Sequence, residues 1–242
     1  MKWFYGLIAI TFLSGLAQAK CDANAQKLVK SYSQIVACKN NTIVWKDGTK
    51  MVYDDGKKET ADKILKRADI EDMFTHSYLR ERYANPRHDP GRYRNEKFFR
   101  KMYGNSAAAV RNNLRPVRWF GQSARMTRIN GVDRHLKAVE RDLQRLVMRD
   151  PKLRRYLTPI GGMFKWRTIA GTKRLSVHSF GAAIDIRVKY SAYWRWTKGK
   201  YRYQNMIPLA IVKAFEKHGF IWGGKWYHYD TMHFEYRPEL LR

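Results

Sequence analysis

Cysteine is nearly missing: two residues in a chain of 242, one possible intramolecular pair and too few thiols for a zinc site of their own. Acid is scarce as well. Against 48 Lys and Arg stand only 21 Asp and Glu, a net charge of +27, which speaks for anionic partners rather than for any fold. Seven Pro and sixteen Gly exclude a collagen-like or low-complexity chain, and 44% hydrophobic residues exclude a wholly disordered one. Beyond residue 16 no run is apolar enough to cross a bilayer, so no transmembrane segment is expected in the mature chain. Aromatic residues are plentiful, 14% with 8 Trp and 15 Tyr, and the length suits one or two compact domains with a substantial core.

The N-terminus reads as an export signal. Met1-Lys2 is a short basic start, Trp3 to Leu16 carries no charge, and Ala17-Gln18-Ala19 offers small residues where a signal peptidase cuts. Residues 1–19 are therefore expected to be removed, leaving an exported chain, periplasmic or secreted. In an oxidising compartment Cys21 and Cys38 are expected to pair, closing a loop of about 17 residues worth on the order of 3 kcal/mol. Export also takes the protein away from the genome, so no nucleic-acid partner is expected. Anionic cell-wall polymers remain possible partners for so basic a surface.

Along the chain, residues 22–37 place Leu28, Val29, Tyr32 and Ile35 at helical spacing, and Thr42 to Tyr53 alternates around Asp47-Gly48 as a hairpin does. These features mark residues 20–65 as a small disulfide-tethered appendage ahead of a catalytic domain at 66–242. Arg92, Arg94, Arg100 and Lys101 lie among Tyr93, Phe98, Phe99 and Tyr103. Without a nucleic-acid recognition signature this reads as the packing of a loop-rich layer. Asn130 to Met148 is the clearest helix, its stripe of Leu136, Val139, Leu143, Leu146 and Val147 ending at Asp150-Pro151. A second helix starts at Pro208 and runs toward Gly219. Short strands are expected at Ala183–Val188, Phe220–Trp222 and Thr231–Tyr236. The fold class is α+β, a small antiparallel sheet with packed helices.

Chemistry concentrates in residues 160–236. In Ser176-Val177-His178-Ser179-Phe180-Gly181-Ala182-Ala183-Ile184-Asp185, the alternation of Ile184, Ile186 and Val188 turns Asp185 to the opposite face, and the small residues leave room for a turn that returns His178 toward it. In Asp230-Thr231-Met232-His233-Phe234-Glu235-Tyr236, a strand would send Met232, Phe234 and Tyr236 to the core and His233 with Glu235 the other way. Two imidazoles and one carboxylate with an open fourth position are the pattern of a catalytic zinc site. Singly, each has a bland reading: a solvated Asp, a satisfied His, and for Asp230 a strand-start carboxylate balancing Lys225.

The pattern Ser-x-His-x-x-Gly-x-Ala-x-Asp at 176–185, followed by Asp-x-x-His at 230–233 and preceded by Trp-Gly-Gly-x-Trp at 222–226, resembles the zinc D-alanyl-D-alanine carboxypeptidases and dipeptidases and the related L-alanyl-D-glutamate endopeptidases. The resemblance implies His178, Asp185 and His233 as Zn2+ ligands and Asp230 as general base. It further implies Arg167 as the arginine on the substrate carbonyl and developing oxyanion, with Arg174 its rival, and Ser176 as a hydrogen-bonding partner of substrate. Glu235 is read as orienting a ligand, and His228 as a hydrogen-bonded neighbour. The expected activity is hydrolysis of peptide bonds in peptidoglycan stem peptides by metal-activated water. The rival readings are a wall-binding module without catalysis and a basic secreted polyanion-binding protein.

Overall fold

A computed structural model describes residues 21–79 and 87–242; the export signal expected at 1–19 lies outside them. Helix α1 (Ala23–Ser31) is capped by Asp22, whose carboxylate accepts the Ala25 N–H at 2.8 Å. The amphipathic stretch ends earlier than its periodicity suggests, because Ile35–Lys39 forms strand β1. β1 pairs antiparallel with β2 (Thr42–Trp45), and β2 with β3 (Lys50–Val52) across the expected turn. The expected Cys21–Cys38 disulfide ties the residue before the Asp22 cap to β1. Helix α2 (Ala61–Arg67) leads to the first segment beside the site.

Helices α3 (Glu96–Tyr103) and α4 (Ala107–Asn112) follow. In α3 the rings of Phe98, Phe99 and Tyr103 are buried while its basic residues stay at the edge, so the aromatic and basic stretch is core packing. A hairpin of β4 (Leu114–Trp119) and β5 (Gln122–Thr127) then supports the long helix α5 (Val132–Arg149), which buries Val132, Leu136, Val139 and Leu143. The short α6 (Arg154–Leu157) ends that layer. Strand β6 (Ala183–Asp185), helix α7 (Leu209–Glu216), β7 (Phe220–Trp222) and β8 (His233–Tyr236) complete the chain, with the sheet ordered β6-β8-β7 and antiparallel throughout. The α+β class is as expected.

One detail corrects the alternation read at β6. Ile184 and Ile186 are buried, but the strand stops at Asp185 and Val188 begins a 3-10 turn, 42% exposed. The orientation of Asp185 thus rests on two buried neighbours and its pairing with β8. Phe215 of α7 stacks on Phe234 of β8 at 3.8 Å between ring centres, which fixes the sheet against the helical layer.

Candidate metal centre

Ser176 opens the site. Its hydroxyl accepts the His178 N–H at 3.4 Å and starts a 3-10 turn over Val177–Phe180. Gly181 closes the turn with φ +64, and a Cβ there would meet Leu114 Cδ2 at 2.6 Å, so the glycine is required twice over. The chain thereby reverses into β6 and brings Asp185 back to His178, with Oδ1 3.1 Å from Nε2. Asp185 lies directly opposite His233 in the β6–β8 register. His233 Nδ1 is 3.0 Å from Asp185 Oδ1 and 3.2 Å from His178 Nε2.

Three donor atoms from two distant segments form a triangle with sides of 3.0–3.2 Å. Four-coordinate zinc with bonds of about 2.0–2.2 Å holds its ligand atoms roughly 3.4 Å apart, so the triangle is close to the size such an ion needs. The far nitrogens are also engaged. His178 Nδ1 lies 2.7 Å from the Met163 carbonyl, and His233 Nε2 lies 3.1 Å from Glu235 Oε2. Donating those far N–H groups leaves the near nitrogens as acceptors facing one point. The group can hold a divalent metal ion.

Without a cation, the triangle is an electrostatic trap. Burial pulls the His233 imidazolium down, yet its bonds to Asp185 and Glu235 outweigh this and raise its pKa to about 10. Asp185 is held well below the usual carboxylate range, because His178 and His233 overcome its desolvation. Glu235 would likewise be raised by burial, but Arg94, His233 and Arg237 bring it to about 2. Binding of a metal ion by the three groups would have to release the proton that His233 holds.

Asp230 lies three residues before His233, at the approach to β8. Gly223 accepts the Asp230 N–H at 3.0 Å, and His233 N–H returns to the Asp230 carbonyl at 3.2 Å. A Cβ on Gly223 would lie 2.6 Å from that same carbonyl oxygen, which explains a glycine in the Trp-Gly-Gly lead-in. Lys225 is directed elsewhere, to Glu216 at 2.5 Å and the Leu79 carbonyl at 2.9 Å. Asp230 Oδ1 is buried without a hydrogen-bond partner among the described residues. Burial pushes the Asp230 carboxyl up to about 7, with His233 pulling it back and Asp185 adding to the rise.

Residues 170–236 match the family model for D-alanyl-D-alanine carboxypeptidase. The match is confined to that segment, which holds His178, Asp185, Asp230 and His233. No curated protein and no solved structure matches the chain. The match supports a peptidoglycan-acting metallopeptidase in general terms.

The two arginines part company in the structure. Arg167 is exposed on the hairpin arm that bridges Thr168 to Leu175, and its charge is felt at Asp230. Arg174 donates to the Arg92 carbonyl at 3.1 Å and lines a separate cavity of about 350 Å³ with Arg94, Glu96, Leu175 and Phe180. Burial, with Arg94 and Arg92 nearby, lowers its pKa to about 9. His228 is hydrogen-bonded as expected, Nδ1 lying 2.7 Å from Asp89 Oδ2. Sequence reasoning missed the Met163 carbonyl, Arg94, Arg237 and Glu239. A carbonyl has no side-chain signature, and the three charged residues look like solvated surface until their burial is seen.

Proposed function

We propose that the chain is an exported zinc metallopeptidase that hydrolyses peptide bonds of peptidoglycan stem peptides, of the D-Ala-D-Ala carboxypeptidase or L-Ala-D-Glu endopeptidase type. The observation that carries the reading is the His178–Asp185–His233 triangle with the unpartnered oxygen of Asp230 beside it. Residues 66–242 are read as the peptidase unit, and the disulfide in residues 21–38 accords with an oxidising compartment.

His178, Asp185 and His233 would hold the ion, which when bound supplies Lewis-acid activation of water and of the scissile carbonyl. Asp230 Oδ1, which no donor among the described residues occupies, accepts the proton of the attacking water and delivers it to the leaving amine nitrogen. Burial raises this carboxyl toward the range in which it can both take and give a proton, and a bound cation would offset part of that rise. Arg167, exposed and with its charge felt at Asp230, is assigned to the substrate carbonyl and the oxyanion that develops from it. Arg174 is assigned to the substrate's flank rather than to its reacting carbonyl. Ser176, 6% exposed and already capping the His178 turn, is assigned a supporting hydrogen bond to substrate.

Mass spectrometry of muropeptides before and after incubation with the zinc-loaded protein tests the reading and names the bond. Loss of a terminal D-Ala, or new L-Ala and D-Glu termini, is the expected result. An unchanged profile with wild-type protein, matching that of Asp230→Asn, would favour a wall-binding module instead.

A further inference from the structure

Behind His233 a line of buried polar groups crosses the molecule. His233 Nε2 meets Glu235 Oε2 at 3.1 Å, and Glu235 Oε1 accepts from Arg237 Nη1 at 3.2 Å. Arg237 Nε donates to Glu239 Oε1 at 2.5 Å, and Tyr32 donates its hydroxyl to Glu239 Oε2 at 2.5 Å. Glu235, Arg237 and Glu239 are each 0% exposed, and Tyr32 is 2% exposed. The line starts at a candidate metal ligand and ends in the N-terminal segment, 207 residues away along the chain from Glu239 to Tyr32.

The order of groups matters. Two carboxylates are balanced by Arg237 within the line and by Arg94, 3.6 Å from Glu235. A neutral phenol then closes it without adding charge. Buried ions hold a fixed geometry only when every partner is present, because removing one leaves an uncompensated charge that draws its neighbours out of place. Without the Tyr32 hydroxyl, Glu239 would pull harder on Arg237. Arg237 would then loosen from Glu235, and Glu235 alone sets which nitrogen of His233 faces Asp185.

Resting on the metal-centre reading above, we infer that Tyr32 is a positioning residue for the metal ligand His233, acting through Glu239, Arg237 and Glu235. The N-terminal segment is in this view a working part of the site. Its disulfide serves to hold Tyr32 at the end of the line.

The test is zinc affinity, measured by competition with a chromogenic chelator on the full chain. Tyr53→Phe is the control, since Tyr53 is 1% exposed in the same segment and its hydroxyl binds Asp22 at 2.7 Å, off the line. Outer partners of metal ligands are worth about 10- to 100-fold in affinity, and Tyr32→Phe, three links removed, is expected at about tenfold. Tyr53→Phe should bind zinc as the wild type does. With cobalt(II) as probe, the visible bands should shift in Tyr32→Phe and Glu235→Gln but not in Tyr53→Phe. Zinc affinity and cobalt bands of Tyr32→Phe identical to wild type, with Glu235→Gln impaired, would overturn this inference alone. Failure of the wild type to bind zinc at all would overturn the metal-centre reading and this inference with it.

Discussion

Asp230 carries opposite burdens in the folded chain and in the reaction. Its carboxyl ionises at about 7 when folded, against an ordinary 3.8, so between those values the metal-free native state holds a proton that the unfolded chain has lost. The native state is then the better proton binder, and Asp230 takes stability away as pH rises through that window. Metal-free Asp230→Asn is therefore expected to match wild type at pH 4 and to exceed it at pH 8 by on the order of 2 kcal/mol. Denaturant titrations in the presence of a chelator would show this. Equal stability at both pH values would mean that Asp230 is not desolvated as described. In the proposed reaction the same group has to be ionised to accept a proton, so kcat/KM should climb as pH is raised through its pKa. A bound cation pulls that pKa below about 7. The acid limb should vanish from whatever activity Asp230→Asn retains.

The elements that carry the site were legible to different degrees. The Ser176–Asp185 and Asp230–His233 segments announce their chemistry because the ligands sit at fixed offsets from small residues that a tight turn demands. Gly181 with φ +64 and Gly223 against the Asp230 carbonyl show why those offsets exist. Gly223→Ala should accordingly push the Asp230 loop outward, costing about 1–3 kcal/mol of stability and most of the activity, read by thermal melts and turnover on muropeptides. The β8 strand was legible on one face only. Alternation correctly sends Phe234 and Tyr236 to the core, but the opposite face is also closed, and Glu235, Arg237 and Glu239 lie in a buried ionic layer rather than in an open cleft. Period-two patterning separates faces without saying whether a polar face meets water or other polar groups. Helix α5 was plain from its apolar stripe. The β4–β5 hairpin was not, since Leu114–Trp119 places Arg115 and Arg118 around Pro116 and lacks clean alternation.

Across the whole molecule, one hydrophobic cluster runs from Leu28, Tyr32 and Trp45 in the N-terminal segment through Phe98 and Leu136 to Phe180, Phe215 and Phe234. Its extent could not be read from composition, because contact between distant segments depends on packing and not on local pattern. Among the described residues no helix is long and apolar enough to cross a membrane. The net charge of +27 acts at long range and is screened by salt. Retention on purified sacculi should fall severalfold between about 0.05 and about 0.3 M NaCl, while turnover of a short soluble stem peptide changes little. Salt-independent retention would assign wall binding to the cleft itself.

Metal analysis of the purified full-length protein bears most directly on the centre. After loading with zinc and exhaustive dialysis, wild type should retain one equivalent per chain, and His178→Ala, purified and loaded identically, should retain none and cleave nothing. A full equivalent of zinc in folded His178→Ala would contradict the convergence of His178, Asp185 and His233 on a single ion.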